Sequence, residues 1–192
     1  MMRTHCPNLA MLYQIISLLL EVAAGLLTST CLLRLYMQHQ RISFKNPVGR
    51  FVFALTDWLV LPLRRILPSV GRWDTASLVG AFLLELAQVG LLWLLAGRMG
   101  GLGVLPLLAL FGLLRLVISA LTGLVIVYAI LSWVRADSPI TDVIERLCAP
   151  LLRPWRRFIP LVGGIDLSPL AFLVALQVAA IVLMSLESAA LR

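Results

Sequence analysis

Pro62-Leu-Arg-Arg-Ile-Leu-Pro-Ser-Val-Gly-Arg-Trp-Asp74 recurs 92 residues later as Pro154-Trp-Arg-Arg-Phe-Ile-Pro-Leu-Val-Gly-Gly-Ile-Asp166. From Pro62 to Leu78, eight of seventeen positions are identical at this offset, without a gap. A self-match at a fixed spacing is typical of an internal repeat. We therefore expect a tandem duplication in which each copy contains one arginine-rich segment.

Long apolar runs flank both copies of this segment. The chain has 192 residues, of which 61% are apolar and 13% charged, too few charged side chains to cover a water-soluble globule. Each run can cross a hydrocarbon core of about 30 Å at about 1.5 Å per residue. The first run is too long for a cleaved signal peptide and is expected to remain as a spanning helix. The predicted spans are about 11–35, 76–97, 104–133 and 167–188.

These runs predict an all-α membrane protein with four transmembrane helices in two tandem span-loop-span repeats. The first repeat covers residues 11–98 and the second covers residues 104–192. Because each repeat contains an even number of spans, both copies are expected to share one orientation, related by an axis along the membrane normal.

Basic residues concentrate in the loop inside each repeat. The chain has 16 Lys and Arg against 9 Asp and Glu, a net charge of +7. Loops 37–74 and 135–166 contain most of the basic residues, whereas the turn between the second and third spans contains only Arg98. The positive-inside rule then places both loops in the cytoplasm and both termini in the periplasm of a bacterial inner membrane. The expected partner is a bilayer with anionic headgroups rather than nucleic acid.

Each loop also has the periodicity of an amphipathic helix. In the second loop, apolar residues from Ile140 to Phe158 recur at steps of three and four, with charged residues between them. An arginine-rich helix of this kind is typical of a cytoplasmic segment at the membrane interface. Pro150 is expected to divide it into two pieces. The residues predicted to bind lipid or a partner protein are Arg64, Arg65, Arg153, Arg156, Arg157 and Asp166.

Short motifs at the turns of the second copy combine serine, proline, glycine and tryptophan: Ser132-Trp133 with Ser138-Pro139, Leu151–Pro160, and Gly163–Pro169. Together they closely resemble the YggT family of small bacterial inner-membrane proteins, and the resemblance covers both halves of the chain. It implies roles such as osmotic or ionic stress tolerance, cell division and nucleoid organisation, or maturation of membrane cytochromes. The first copy departs from this pattern, since Arg72 and Trp73 replace Gly-Ile and Ser77 stands at the position of Pro169.

The motif that precedes the last span has two interpretations. Ser168 can cap the last span while Pro169 occupies its first turn. Alternatively, Asp166 pairs with Arg156 or Arg157 as part of a binding element.

Polar and ionisable side chains inside the spans are the sharper candidates for a site, because an ionisable group at the bilayer centre costs at least about 2.5 kcal/mol. Glu85 and Arg115 fall at similar depth near mid-bilayer, which predicts a buried ion pair that is either structural or part of a proton or cation relay. Arg34 is expected to extend to the cytoplasmic surface beside Tyr36. The full set of candidates is Glu21, Arg34, Glu85, Gln88 and Arg115.

No motif for catalysis, a cofactor or a metal stands out, and His5 and His39 lack ligand spacing. We therefore expect no enzyme. The sequence predicts a membrane-embedded assembly or stress-response factor whose arginines contact lipid and partner proteins. The alternative is an ion or small-solute pathway that uses Glu85 and Arg115, which would require a homo-oligomer because four spans are few for a transporter.

Overall fold

The computed structural model describes residues 7–67, 73–97, 101–134, 138–159 and 166–191, and these residues form seven α-helices. A 3₁₀ turn, Leu102–Val104, leads into the fourth helix. The helices are α1 (Pro7–His39), α2 (Pro47–Ile66), α3 (Thr75–Leu95), α4 (Leu105–Val134), α5 (Pro139–Leu152), α6 (Trp155–Phe158) and α7 (Ser168–Ala190).

Four of these helices, α1, α3, α4 and α7, are long and apolar enough to cross a membrane. The four predicted spans are therefore confirmed as helices of membrane-spanning length. Helix α1 continues four residues beyond its predicted end and stops at His39. The end is set by Arg41, which has a left-handed backbone (φ 55°), while the Ile42 N–H donates to the Met37 carbonyl.

Glycines end α3 and begin the connection to α4. Gly97 and Gly101 both have positive φ, 68° and 76°, a conformation that favours glycine. This agrees with the turn predicted after the second span. Arg98, the basic residue predicted in that turn, lies outside the described residues.

Helices α3 and α4 form the middle of the bundle. Helix α3 packs against α1, α2 and α4, and α4 also packs against α1, α5 and α7. Small side chains on α3, including Ala76, Gly80 and Ala81, are buried at these contacts. Because lipid tails are as apolar as the helices, close packing of small residues is a main source of stability for such contacts.

The two shorter helices α2 and α5 begin in the same way. Asn46 accepts a hydrogen bond from the Gly49 N–H (2.7 Å), and Ser138 accepts one from the Thr141 N–H (3.2 Å). Each cap is followed by a proline at the first helical position. The caps fix where α2 and α5, the helices of the two connectors between spans, begin after the preceding span.

Helices α2 and α5 also contact each other, so the connectors of both halves lie at one end of the bundle. Val52 of α2 and Val143 of α5 belong to one buried cluster with Met37. The Tyr36 hydroxyl of α1 donates to the Leu147 carbonyl of α5 (2.8 Å). We call this end, formed by α2, α5 and α6, the basic end.

The second connector is divided into two helices, as predicted, but at a different residue. Pro150 lies inside the last turn of α5, and the Arg153 N–H still donates to the Ala149 carbonyl (3.0 Å). The division falls between Leu152 and Trp155 instead. A proline near a helix end removes one hydrogen bond without stopping the helix, and Pro154 then begins the next turn.

We expect Gly49→Ala to destabilise the protein, because a Cβ at Gly49 would overlap the backbone of Phe44. The cost of such overpacking is about 1–3 kcal/mol. Thermal unfolding in detergent measures it. Gly123→Ala is the matched control, since a Cβ there meets no atom within 4 Å. Equal unfolding temperatures for the two variants would contradict the close contact at Gly49.

Candidate functional site

Arg34 of α1 is the most buried arginine among the described residues, with 2% of its surface exposed. It donates hydrogen bonds to the Thr56 hydroxyl (2.7 Å) and to Asp57 Oδ1 (2.7 Å), both on α2. Its guanidinium lies 4.7 Å from the ring centre of Phe53. The prediction that Arg34 extends to the membrane surface is therefore wrong. Helix α2 supplies the Thr56 hydroxyl and the Asp57 carboxylate as acceptors, so Arg34 Nη1 is hydrogen-bonded inside the protein.

Asp74, at the start of α3, is completely buried and joins the same group. Its Oδ2 accepts hydrogen bonds from Arg64 (2.5 Å) and from the Ser77 hydroxyl (2.7 Å), and lies 3.8 Å from Arg34 Nε. Two arginines and two aspartates give a neutral group, so the buried charges of Arg34 and Asp74 are compensated by the half-buried Asp57 and Arg64. We call Arg34, Asp57, Arg64 and Asp74 the first-half charge cluster.

The second half contains a smaller and more exposed group. Arg156 Nε donates to Asp166 Oδ2 (2.9 Å), and Arg156 Nη2 donates to the Tyr128 hydroxyl (2.7 Å). Of the two arginines predicted as partners of Asp166, the structure selects Arg156. The two side chains are 44% and 29% exposed.

The same ion pair recurs at an offset of 92 residues, as Arg64–Asp74 and Arg156–Asp166. Each pair joins the end of a connector to the start of the next span. The halves differ in what surrounds the pair, since Ile126 and Ala149 stand where the first half has Arg34 and Asp57. The two buried charged residues, Arg34 and Asp74, therefore belong to the first half.

The environment of the second pair favours its charged forms. Partial burial opposes the charge of Arg156, but Tyr128 and Asp166 outweigh it and raise the pKa of Arg156. Burial also opposes the Asp166 carboxylate, but hydrogen bonds from Ser168 and Arg156 outweigh it and lower the pKa of Asp166.

Asp166 also replaces Ser168 as the residue that caps α7. Its Oδ1 accepts the Ser168 N–H (2.9 Å), and the N-cap position itself is Leu167, which makes no side-chain cap bond. The prediction that Ser168 caps the last span is therefore wrong, because a carboxylate two residues upstream reaches the first free N–H. Gly163 to Ile165 of this motif lie outside the described residues.

Inside the spans, Glu85 and Arg115 do not form the predicted ion pair. Arg115 pairs instead with Glu187, in the last turn of α7 (2.5 Å). Helical side chains lean toward the N-terminus of their own helix, so Arg115 leans toward the end of the bundle opposite the basic end, and Glu187 leans back to meet it. A pair near the end of a span also costs less than one at mid-bilayer.

The remaining intramembrane candidates differ in burial. Glu85 is 5% exposed, and its Oε2 has no hydrogen-bond partner among the described residues. Gln88 Oε1, one turn along α3, is likewise buried without a partner there. Glu21 is exposed on α1, and the ion pairs of the described residues do not include it.

The surface of the basic end carries arginines outside these pairs. Arg65, Arg153 and Arg157 are exposed, and none is in an ion pair within the described part of the chain. Large apolar side chains are exposed beside them, including Trp58 (60%) and Phe158 (84%). The surface combines positive charge with apolar area.

Helix α5 differs from the predicted interfacial helix in what covers its apolar face. Val143, Ile144, Leu147 and Cys148 are buried against other helices. The most exposed apolar side chains of the basic end, such as Trp58, Ile66 and Phe158, come instead from α2 and α6, although Ile140 of α5 is exposed as well. The periodicity of α5 was visible in the sequence, but whether lipid or protein covers its apolar face depends on the packing of the whole bundle.

No group of three His, Cys, Asp or Glu side chains within the described ranges is placed to hold a metal ion. The charged side chains that come together do so as ion pairs.

Comparison with known proteins gives the family. The model of the CCB3/YggT family matches residues 9–95 and again residues 107–186. The chain belongs to the CCB3/YggT family. Its relatives include the Escherichia coli K12 protein named "Uncharacterized protein YggT", 37% identical over 164 residues, which cover 85% of this chain and 86% of that protein. An uncharacterised Vibrio alginolyticus protein is 36% identical, with 85% and 90% covered. No solved structure matches the chain.

Sequence reasoning missed three partners in this YggT-family protein. The sequence repeat could have indicated Asp74, because the 92-residue offset aligns it with Asp166. No sequence pattern indicated Asp57 or Glu187, since each lies far along the chain from the arginine with which it pairs.

We expect Asp74→Asn to destabilise this YggT-family protein much more than Asp166→Asn. The first variant leaves buried Arg34 without one of its two carboxylates, and breaking a buried pair costs about 3–5 kcal/mol. The second removes a partly exposed pair, worth about 1 kcal/mol or less. Thermal unfolding of both variants in detergent tests this. Equal effects would mean that the first-half charge cluster is solvated.

The Arg156–Asp166 pair should also show a defined pH dependence. Since the folded-state pKa of Asp166 is lowered, its stabilisation is full above the unfolded pKa of about 4 and is lost as the pH falls through the folded value. The difference in unfolding temperature between the parent and Asp166→Asn should be constant from about pH 7 to 5 and disappear in stronger acid. If the difference in unfolding temperature widens as the pH falls, the Asp166 carboxylate is not the stabilising form.

Proposed function

We propose that this protein is a bacterial inner-membrane assembly or stress-response factor that acts through its basic end. Both termini would lie in the periplasm and the basic end in the cytoplasm, because arginine-rich connectors remain on the cytoplasmic side. Its action is binding rather than catalysis. The relatives' names give no activity, so the support comes from the chain itself.

The observation that carries the proposal is the exposed surface of the basic end. Arg65, Arg153 and Arg157 take no part in the ion pairs among the described residues, and Trp58 and Phe158 are exposed on the same connectors. Arginine binds phosphate oxygens with two parallel hydrogen bonds, and aromatic side chains favour the headgroup region. The surface therefore suits anionic headgroups and the acidic cytoplasmic segments of partner membrane proteins.

The tandem arrangement supports a rigid binding surface. Each half runs from a long helix through a shorter connector helix to another long helix, and each connector is tied down by the repeated Arg–Asp pair. Two parallel repeats would place both interfacial connectors in one leaflet. A factor for osmotic or ionic stress benefits from this, since its contacts with lipid charge respond to ionic strength.

The test combines three substitutions, Arg65→Gln, Arg153→Gln and Arg157→Gln. Native mass spectrometry of the purified protein should show loss of most retained anionic lipid, because each arginine near the surface contributes about 1 kcal/mol. In a bacterium that lacks its own family member, the parent gene should restore growth after osmotic shock, and the triple variant should not.

Asp142→Asn with Glu145→Gln is the matched control, because these exposed residues of α5 lie on the same connector with opposite charge. This control should retain lipid and restore growth. The triple variant must be present in the membrane at the parent level. Restored growth and full lipid retention at that level would overturn the proposal.

The oligomeric ion or small-solute pathway is the second candidate, and it is favoured by buried Glu85, whose Oε2 has no hydrogen-bond partner in the part of the chain that the structure describes. The same growth assay separates the two. The assembly proposal expects Glu85→Gln to restore growth like the parent, whereas a pathway that needs this carboxyl expects failure.

A further inference from the structure

The contact between α3 and α4 buries oxygen atoms that lack a hydrogen-bond donor. Glu85 of α3 lies against Gly112 of α4 so closely that a Cβ at Gly112 would overlap Glu85 Oε1. Glu85 Oε2 and Gln88 Oε1, both buried, have no partner among the described residues. A proton on the Glu85 carboxyl would supply the hydrogen-bond donor that these two oxygens lack among the described residues.

An ionised carboxylate is poorly suited to this place. Glu85 is 5% exposed and lies about 16 Å along α3 from Asp74, well inside the span. A buried charge without a partner costs far more than a neutral carboxyl group, so a carboxylate in such surroundings takes up a proton. The proton is then the ligand that this contact would bind.

The charged groups on the helices packed against α3 leave one candidate counterion. On α1, Arg34 is bonded to α2 and Glu21 is exposed. On α2, the charged side chains that face α3 belong to the first-half charge cluster at the basic end. On α4, Arg115 lies one turn from Gly112 on the same face. Arg115 is held by Glu187 instead.

We propose that Glu85 is a proton-binding site and that it competes with Glu187 for Arg115. While Glu187 holds Arg115, Glu85 keeps its proton. When Arg115 turns to Glu85, the Glu85 O–H bond breaks, the proton leaves to water, and Glu187 becomes a free carboxylate near the end of α7. The inference concerns proton binding within one chain and rests on neither proposed function.

Dicyclohexylcarbodiimide, an apolar reagent that modifies protonated carboxyl groups inside membranes, tests the inference. The full chain in liposomes is treated at pH 7, and the modified residues are located by peptide mass spectrometry. All variants carry Glu21→Gln, because exposed Glu21 would react as well. In this background Glu85 should be modified and Glu187 should not.

Glu187→Gln provides the decisive comparison, since it releases Arg115. Contact with an opposite charge favours the ionised form of a carboxyl group over the protonated form by about tenfold or more. Because the reagent modifies only the protonated form, modification of Glu85 should fall by about tenfold. Glu187→Asp should behave like the parent. Arg115→Met combined with Glu187→Gln should restore modification of Glu85, which a loss of folding would not do.

Two results would overturn the inference. The first is an unmodified Glu85 in the parent background. The second is modification of Glu85 that is equal in Glu187→Gln and in the parent, which would mean that Arg115 does not move between the two carboxylates. Either result leaves the lipid-binding proposal untouched, because that proposal depends on the arginines of the basic end.

Discussion

Burial of Arg34 against Asp57 and Asp74 is the interaction that orders the first half of the molecule. A guanidinium with 2% exposure is tolerable only if carboxylates and hydroxyls surround it, and these come from α2 and α3. Satisfying one arginine of α1 therefore fixes the position of a connector helix and of the next span. Since the surrounding packing is apolar and non-directional, this cluster gives the first half its specific geometry.

The second half also joins its connector to the next span, but with fewer charged residues. Its Arg156–Asp166 pair is partly exposed, and apolar packing of α5 against α4 and α7 supplies the rest. The two halves thus use one repeated ion pair within two different surroundings. The first half is held by buried charge, and the second by burial of Ile144, Cys148 and Leu152 against α4 and α7.

Features that depend on length and composition could be predicted from the sequence. Ion-pair partners that depend on the direction of a side chain could not. Spanning helices follow from long apolar runs, and the Arg156–Asp166 pair follows from residues ten apart in one connector. The partners of Arg34 and Arg115 could not be found in this way. Depth along a span placed Arg115 beside Glu85, but the lean of a long side chain brought it to Glu187.

The hydrogen bond from Tyr36 to the Leu147 carbonyl crosses between the halves, and its symmetry-related counterpart would join Tyr128 to Leu55. Among the described residues this counterpart does not form, and the Tyr128 hydroxyl accepts a hydrogen bond from Arg156. If the two halves descend from a dimer of identical single-repeat chains, both subunits would have made this contact. Fusion into one polypeptide would then have relaxed the requirement for equality, so that one tyrosine still joins the ancestral subunits while its twin has been recruited elsewhere.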